Sequence, residues 1–299
     1  MISISGVTKT FEKFVALDGV DLHVEKGSAY GLVGSNGAGK STLLRLISGV
    51  YSPDSGSVKV DTHEVFNNPK AQEKVFFVND ETVQYTTYTL EEMKSYYKVF
   101  YPNFSEEKFE ELWKILKLPR KKKLSTFSKG MKRQAAVMCA LACQPEYLLL
   151  DEAFDGLDPT MRIIVKRMIV DAMVDKQMSV IISSHNLIEI DDFCDTVGLL
   201  HKGKIIFDRP LDSVKGNFHK IQTAFDEDFT KESFADLDIV HFEKNGSVIY
   251  LIIKGEPEEI KSKLRSKNPK ILDIIPLTLE EIFIYEMEGL GYEHNTLSN

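Results

Sequence analysis

The chain has 299 residues, enough for one large or two modest domains, and its 43% hydrophobic and 27% charged residues suit a soluble protein that buries a core. A formal net charge of −8 argues against a nucleic-acid-binding surface, because phosphate contact draws on clustered Lys and Arg. Cys139, Cys143 and Cys194 are odd in number, form no CxxC pair and point to a reducing compartment.

The N-terminus, MISISGVTKTF, lacks the charged start and apolar run of a signal peptide. No stretch reaches the roughly 18 consecutive apolar residues of a membrane-spanning helix. Residues 29–33 are predicted as an apolar strand running into a Gly-rich turn, and residues 41–47 as a helix closed by Gly49. From Thr89 to Gln144 the pattern is helical. LEEMKSYYKVF and SEEKFEELWKILKL carry apolar residues at helical spacing, so a helical subdomain is expected at about 87–144. Cys139 and Cys143, four apart in an apolar helical stretch, read as core packing rather than a metal site. Trp113 is expected in the core of its amphipathic helix, and Arg120–Lys123 as a solvated basic loop.

Strand-like runs resume at residues 147–150 and 179–183, which makes residues 1–208 an α/β domain with a largely parallel sheet. Beyond it, a small α+β appendage is expected over 209–299. Asn245-Gly246 between two strand-like runs signals a hairpin. Residues 257–267 then read as a helix and 271–275 as a strand. Thr278 with Glu281 forms a capping box that opens a last helix.

Two segments carry chemistry. Gly34-Ser35-Asn36-Gly37-Ala38-Gly39-Lys40-Ser41-Thr42 fits GxxxxGK[ST], after a strand and before a helix. Glycines let successive backbone N–H groups turn inward around phosphates, and the helix adds its positive dipole end. Lys40 is placed to reach the β- and γ-phosphates and Ser41 to ligate Mg²⁺. Tyr147-Leu-Leu-Leu-Asp151-Glu152 is an apolar strand ending in two carboxylates. Asp151 suits Mg²⁺ coordination through water, and Glu152 suits orienting or deprotonating an attacking water.

NGAGKST, FSKGMKRQ, LLLDEAFDGLDP and IISSH, in this order, resemble the ATP-binding cassette family over roughly residues 1–210. The resemblance implies a P-loop ATPase fold that binds and hydrolyses ATP with Mg²⁺. It identifies Ser128, Lys129, Gly130 and Met131 with the LSGGQ signature, in which Lys129 replaces a Gly and Met131 the Gln. In the family this segment binds the γ-phosphate of ATP held by the other subunit, so a homo- or heterodimer is implied. Asp155, Gly156, Leu157 and Asp158 resemble the D-loop at that dimer interface. His185 is similar to the switch histidine that contacts the γ-phosphate, and Phe11 to the aromatic that stacks on adenine. Asp80 stands where the Q-loop glutamine is expected. A carboxylate there can approach Mg²⁺ but cannot donate an amide hydrogen bond.

The family offers three functions. The first is the subunit that powers a membrane transporter from the cytoplasm, at the inner face of the membrane, through a separate multi-span permease. A short cassette with a C-terminal appendage resembles bacterial exporters of peptides, antibiotics or drugs, including those for phenol-soluble modulins. The second is a non-transport ATPase acting on DNA or ribosomes, disfavoured by the acidic balance and by the lack of a second cassette or a long coiled coil. The third is a regulatory subunit that holds ATP with little turnover, against which Glu152 and His185 argue while Asp80 and Met131 leave it open.

Overall fold

The computed structural model describes residues 1–79, 87–216 and 218–289. It divides into two compact units, Met1–Asp208 and Arg209–Asn299.

The first unit opens with β1 (Ile2–Phe11) and β2 (Phe14–Val24), followed by β3 (Ala29–Val33) and α1 (Lys40–Ile47). Next come β4 (Ser55–Val60), β5 (His63–Glu64), α2 (Pro69–Gln72) and β6 (Val75–Val78). The helical stretch holds α3 (Leu90–Phe100), α4 (Glu106–Leu116) and α5 (Lys129–Ala142). The chain then returns through β7 (Tyr147–Asp151), α6 (Pro159–Lys176), β8 (Ser179–Ser184), α7 (Leu187–Asp191), β9 (Thr196–His201) and β10 (Lys204–Pro210).

Six strands form one sheet in the order β10-β9-β3-β8-β7-β6. β3 pairs in parallel with β8 and β9, and β7 with β6 and β8. Every residue of β3, β7 and β8 is buried, which is why these strands read as continuous apolar runs rather than alternating ones. A second, four-stranded sheet in the order β2-β1-β4-β5 lies outside the sequence-based expectation. Its pairs β1–β2 and β1–β4 are antiparallel, and β1 meets β2 with register shifts between Ile4 and Val7 and again near Lys9. Those shifts break the two-residue alternation. The β1–β2 turn is Glu12-Lys13, with Glu12 in the left-handed region at φ 52°, and carries no Asn-Gly signal. Ile2, Leu17, Tyr30, Leu43, Ile47, Leu149 and Ile181 belong to one core joining both sheets and α1.

Five helices of the first unit start at a side-chain cap. Thr89 and Glu92 form a capping box on α3, Ser105 caps α4, Ser128 caps α5, Asp158 caps α6 and Asn186 caps α7. Cys139, Cys143 and Cys194 are buried free thiols, and burial pushes Cys139 up to about 12, far from a reactive thiolate. Two expectations for α4 and its following loop need correction. Trp113 is half-buried, not core: its Nε1 donates to Leu118 O at 2.7 Å and the Arg120 guanidinium lies 3.8 Å above the ring. Arg120 is therefore an anchor, also hydrogen-bonded to Glu91 and Glu110, and only Lys121, Lys122 and Lys123 are exposed. Two acids and an aromatic face together hold the planar guanidinium in one orientation.

The second unit contains α8 (Leu211–Gly216), β11 (Phe218–Ala224), β12 (Asp238–Asn245), β13 (Val248–Lys254), α9 (Pro257–Arg265), β14 (Ile271–Ile275) and α10 (Leu279–Gly289). Its strands form an antiparallel sheet in the order β12-β13-β11-β14. Asn245 pairs with Val248 across Gly246, at φ 65°, as the hairpin signal predicts. Thr278 and Glu281 exchange backbone-to-side-chain hydrogen bonds at 3.0 and 3.2 Å at the start of α10. Ile221, Phe234, Leu251, Ile253 and Leu264 form its core.

Candidate functional site

Strand order decides where the chemistry meets. β8 lies between β3 and β7, with Val33 opposite Ser184 and Asp151 opposite Ser183. The Gly34–Thr42 turn, the Asp151-Glu152 pair and His185 all leave the carboxyl ends of these three adjacent strands. Ligands of open α/β sheets bind at that edge.

Gly34 follows β3 directly, and a Cβ there would lie 2.2 Å from Leu200 O, so the turn passes too close to its neighbour for any side chain. Ala38 O accepts from Gly203 N at 3.0 Å, which clamps the middle of the turn to the β9–β10 connection. α1 begins at Lys40 with no side-chain cap and no acid in its first turn, which leaves its N–H donors for an anion. Lys40 is buried and donates to Gly34 O at 2.6 Å and Ser35 O at 3.1 Å. Burial lowers its pKa, while the nearby Glu152 and Asp151 charges oppose that shift. Ser41 and Thr42 are half-buried on the first turn of α1, and Ser35, Asn36 and Gly37 form the more open part of the turn.

Asp151 is buried, and its Oδ1 accepts a hydrogen bond from the Ser183 hydroxyl. Its Oδ2 is buried with no hydrogen-bond partner among the described residues. An orphaned carboxylate oxygen is expensive unless a cation or its water shell takes it, so this oxygen is chemically suited to Mg²⁺, as is the Ser41 hydroxyl on the first turn of α1. Glu152 sits in the left-handed region at φ 48°, with its N–H held by Ser183 O at 3.1 Å and its carbonyl accepting from Asp155 N at 3.1 Å. That bend swings its side chain off the strand axis, and His185 Nδ1 lies 3.2 Å from Glu152 Oε1. Glu152, Asp155 and His185 present side-chain atoms all within 4.8 Å of one another.

Ser128, at the start of α5, accepts from Met131 N at 3.1 Å. A Cβ on Gly130 would meet Gly156 O at 2.6 Å, and Lys129 packs its stem along Gly156. The Ser128–Met131 segment and the Asp155–Asp158 loop therefore form one surface. Leu157 is buried beneath it, and Asp158 accepts from Met161 N at 3.0 Å to start α6. Phe11 is 39% exposed, edge-on to Tyr51 with ring centroids 5.3 Å apart. An aromatic left that open at a hairpin end is available for stacking. Asp80 lies outside the described residues.

Three residues that matter to this geometry carried no signal strong enough to single them out. Ser183 holds both Asp151 and Glu152, and its only trace is a hydroxyl in an otherwise apolar buried strand. Arg133 is buried on α5 and donates to Asn79 O at 2.5 Å, binding α5 to the end of β6. Glu189, on α7, is buried although acidic residues seldom are.

A family model described as ABC transporter matches residues 17–155. The chain is 32% identical to the ABC transporter ATP-binding protein YtrB of Bacillus subtilis, over 97% of this chain and 99% of that protein. It is 30% identical to the bacitracin transport ATP-binding protein BcrA of Bacillus licheniformis, over 72% of this chain and 71% of that protein. Among solved structures, an ATP-binding subunit of an ABC transporter superposes with a TM-score of 0.67 at 25% identity, covering 72% of this chain and 92% of that one.

Proposed function

Because the chain belongs to the ATP-binding cassette family as a transporter ATPase, we propose that it powers export of a peptide, antibiotic or drug-like substrate through a separate multi-span permease. It works as one of a pair of ATPase subunits at the inner face of the membrane. The observation that carries the reading is the convergence of Lys40, Asp151, Glu152 and His185 at the ends of β3, β8 and β7.

In this mechanism the N–H groups of the turn and of α1 hold the phosphates, and Lys40 exchanges its loop carbonyls for phosphate oxygens. Phe11 stacks on the adenine. Ser41 and, through water, Asp151 would hold Mg²⁺, which when bound would supply charge neutralisation for the phosphates. Glu152 orients the attacking water and takes its proton, and His185 contacts the γ-phosphate. The Ser128–Met131 segment of a second subunit closes the site. Its capped helix start, free of acids in the first turn, suits an anion.

Export is supported by relatives whose names specify it: bacitracin transport for BcrA and lantibiotic transport for SrtF of Streptococcus pyogenes, the latter 31% identical over 71% of this chain. No helix among the described residues is long and apolar enough to cross a membrane, which fits a separate permease. A groove of about 660 Å³ lined by Arg45, Phe76, Tyr96, Tyr97 and Phe100 offers an aromatic surface for that partner.

The test is the oligomeric state of Glu152→Gln with ATP and Mg²⁺, together with detergent co-purification. An ATP-dependent dimer and a bound multi-span membrane protein are expected. Monomers alone overturn the paired site, and a dimer that never binds a membrane protein overturns the transport role.

A further inference from the structure

We propose that Glu189 is a positioning residue for His185, and that with Arg162 it ties that histidine to the Asp155–Asp158 loop. The proposal rests on the reading of His185 as the γ-phosphate contact.

A buried carboxylate persists only where its oxygens are matched. Glu189 is 4% exposed and both of its oxygens are engaged. Oε2 accepts from the Ser184 hydroxyl at 3.0 Å, and Oε1 lies 3.1 Å from Arg162 Nη1. The Ser184 hydroxyl also accepts from Asn186 N at 2.9 Å. One hydroxyl, aimed by Glu189, thus bridges the two residues that flank His185. Asn186 in turn accepts from Ile188 N at 3.1 Å, so the turn carrying the imidazole is closed on both sides.

Arg162 supplies the second half of the device. It stands on the first full turn of α6, with its N–H bonded to Asp158 O at 2.9 Å, so it moves with the end of the loop. Lys166, one turn further along α6, pairs with Asp192 just beyond α7 at 3.5 Å. Two ion pairs on one helix face couple α6 to the α7 segment. A displacement of the loop against a second subunit is thereby carried to His185, and the imidazole is aimed only when the loop is seated. Neither Glu189 nor Arg162 touches a reacting atom in this scheme. Both act through the backbone on either side of His185.

The test uses the full chain with ATP and Mg²⁺. Glu189→Ala is expected to lower kcat by about 10–100-fold, the cost of misplacing a reacting group by an ångström or less, with KM for ATP within about threefold. Glu189→Gln keeps an oxygen for Ser184 but loses the charge for Arg162, and should fall between Glu189→Ala and the unaltered protein. Arg162→Met should match it. In a His185→Ala background, Glu189→Ala should add less than about twofold, since residues acting through one another are not additive. Full multiplication of the two losses overturns the proposal, as does a Glu189→Ala protein with unchanged kcat or with KM and kcat shifted together. His185→Ala with normal turnover removes the γ-phosphate reading, and the proposal with it, by a measurement that leaves Glu189 untouched. Should Glu189→Ala fail to fold, Glu189→Gln and Arg162→Met in the His185→Ala background decide the matter by the same rule.

Discussion

Glu152 and His185 face each other across the ends of neighbouring strands, with His185 Nδ1 3.2 Å from Glu152 Oε1. The contact depends on Glu152 adopting a left-handed conformation that its neighbour Ser183 holds through the main chain. In the proposed mechanism this carboxylate is the base of the reaction. Glu152→Gln, which keeps the shape and removes the basicity, should slow ATP hydrolysis by about 10²–10⁴-fold while ATP still binds. Phosphate release under saturating ATP measures this, and wild-type turnover would dismiss the assignment.

Lys40 is expected to govern binding rather than chemistry alone. Its ammonium is buried between Gly34 O and Ser35 O, beside the two strand-end carboxylates. Lys40→Ala should weaken ATP binding by at least about tenfold, in line with a lost charge-assisted contact of about 1.5–3 kcal/mol. Calorimetric titration with ATP reads the change directly, and undiminished affinity would place the triphosphate elsewhere.

A substitution at Gly130 is expected to separate nucleotide binding from pairing. A methyl at this position collides with the Gly156 carbonyl, which is backbone and cannot rotate away. Gly130→Ala should push the start of α5 off the 155–158 loop. ATPase activity should then fall about tenfold or more through misplacement of the capping segment, with ATP affinity of the single subunit nearly unchanged. Loss of affinity in proportion to activity would show that the segment serves its own subunit's nucleotide.

Asp61 supplies a stability prediction with a pH signature. Its carboxylate accepts from Lys74 Nζ at 2.6 Å and from the Tyr147 hydroxyl at 2.7 Å. Partial burial works the other way, yet these partners and the N-terminal amine hold it well below the usual carboxylate range. A pKa depressed in the folded protein means that the unfolded chain takes up the proton first as pH falls. The stabilisation is therefore complete at neutral pH and is lost below about pH 4, the unperturbed Asp value. Asp61→Asn should cost about 2 kcal/mol at pH 7, and the gap between the two proteins should close in acid. Thermal unfolding at pH 7 and pH 3 checks the sign. A gap that widens in acid would mean that the carboxylate is not the stabilising form.

The local frame of the candidate site was legible because its segments are contiguous in sequence. The Gly34–Thr42 turn must follow a strand and open a helix, and paired acids must close a strand, so both could be named from spacing alone. The capping box of Thr278 and Glu281 was legible for the same local reason. Arg120 was misread because Glu91, distant in sequence, is among its partners, and Trp113 because its partners, Leu118 O and the Arg120 guanidinium, reach it only once the loop after α4 folds back. The four-stranded sheet β2-β1-β4-β5 escaped notice because its irregular registers erase the alternation that marks a strand.

By itself the sequence determined the Gly34–Thr42 turn between a strand and a helix, the acid pair that closes an apolar strand, the helical stretch and the hairpin of the second unit. All of these rest on interactions within a few residues, where spacing and side-chain type are the whole cause. Only the tertiary structure decided that β8 enters between β3 and β7, that Ser183 there anchors Asp151 and Glu152, and that Glu189 is buried against Arg162 and Ser184. Strand order is set by packing the whole sheet between its helices. No local pattern encodes which apolar strand takes the central place, and the groups that strand brings together are neighbours only after it does.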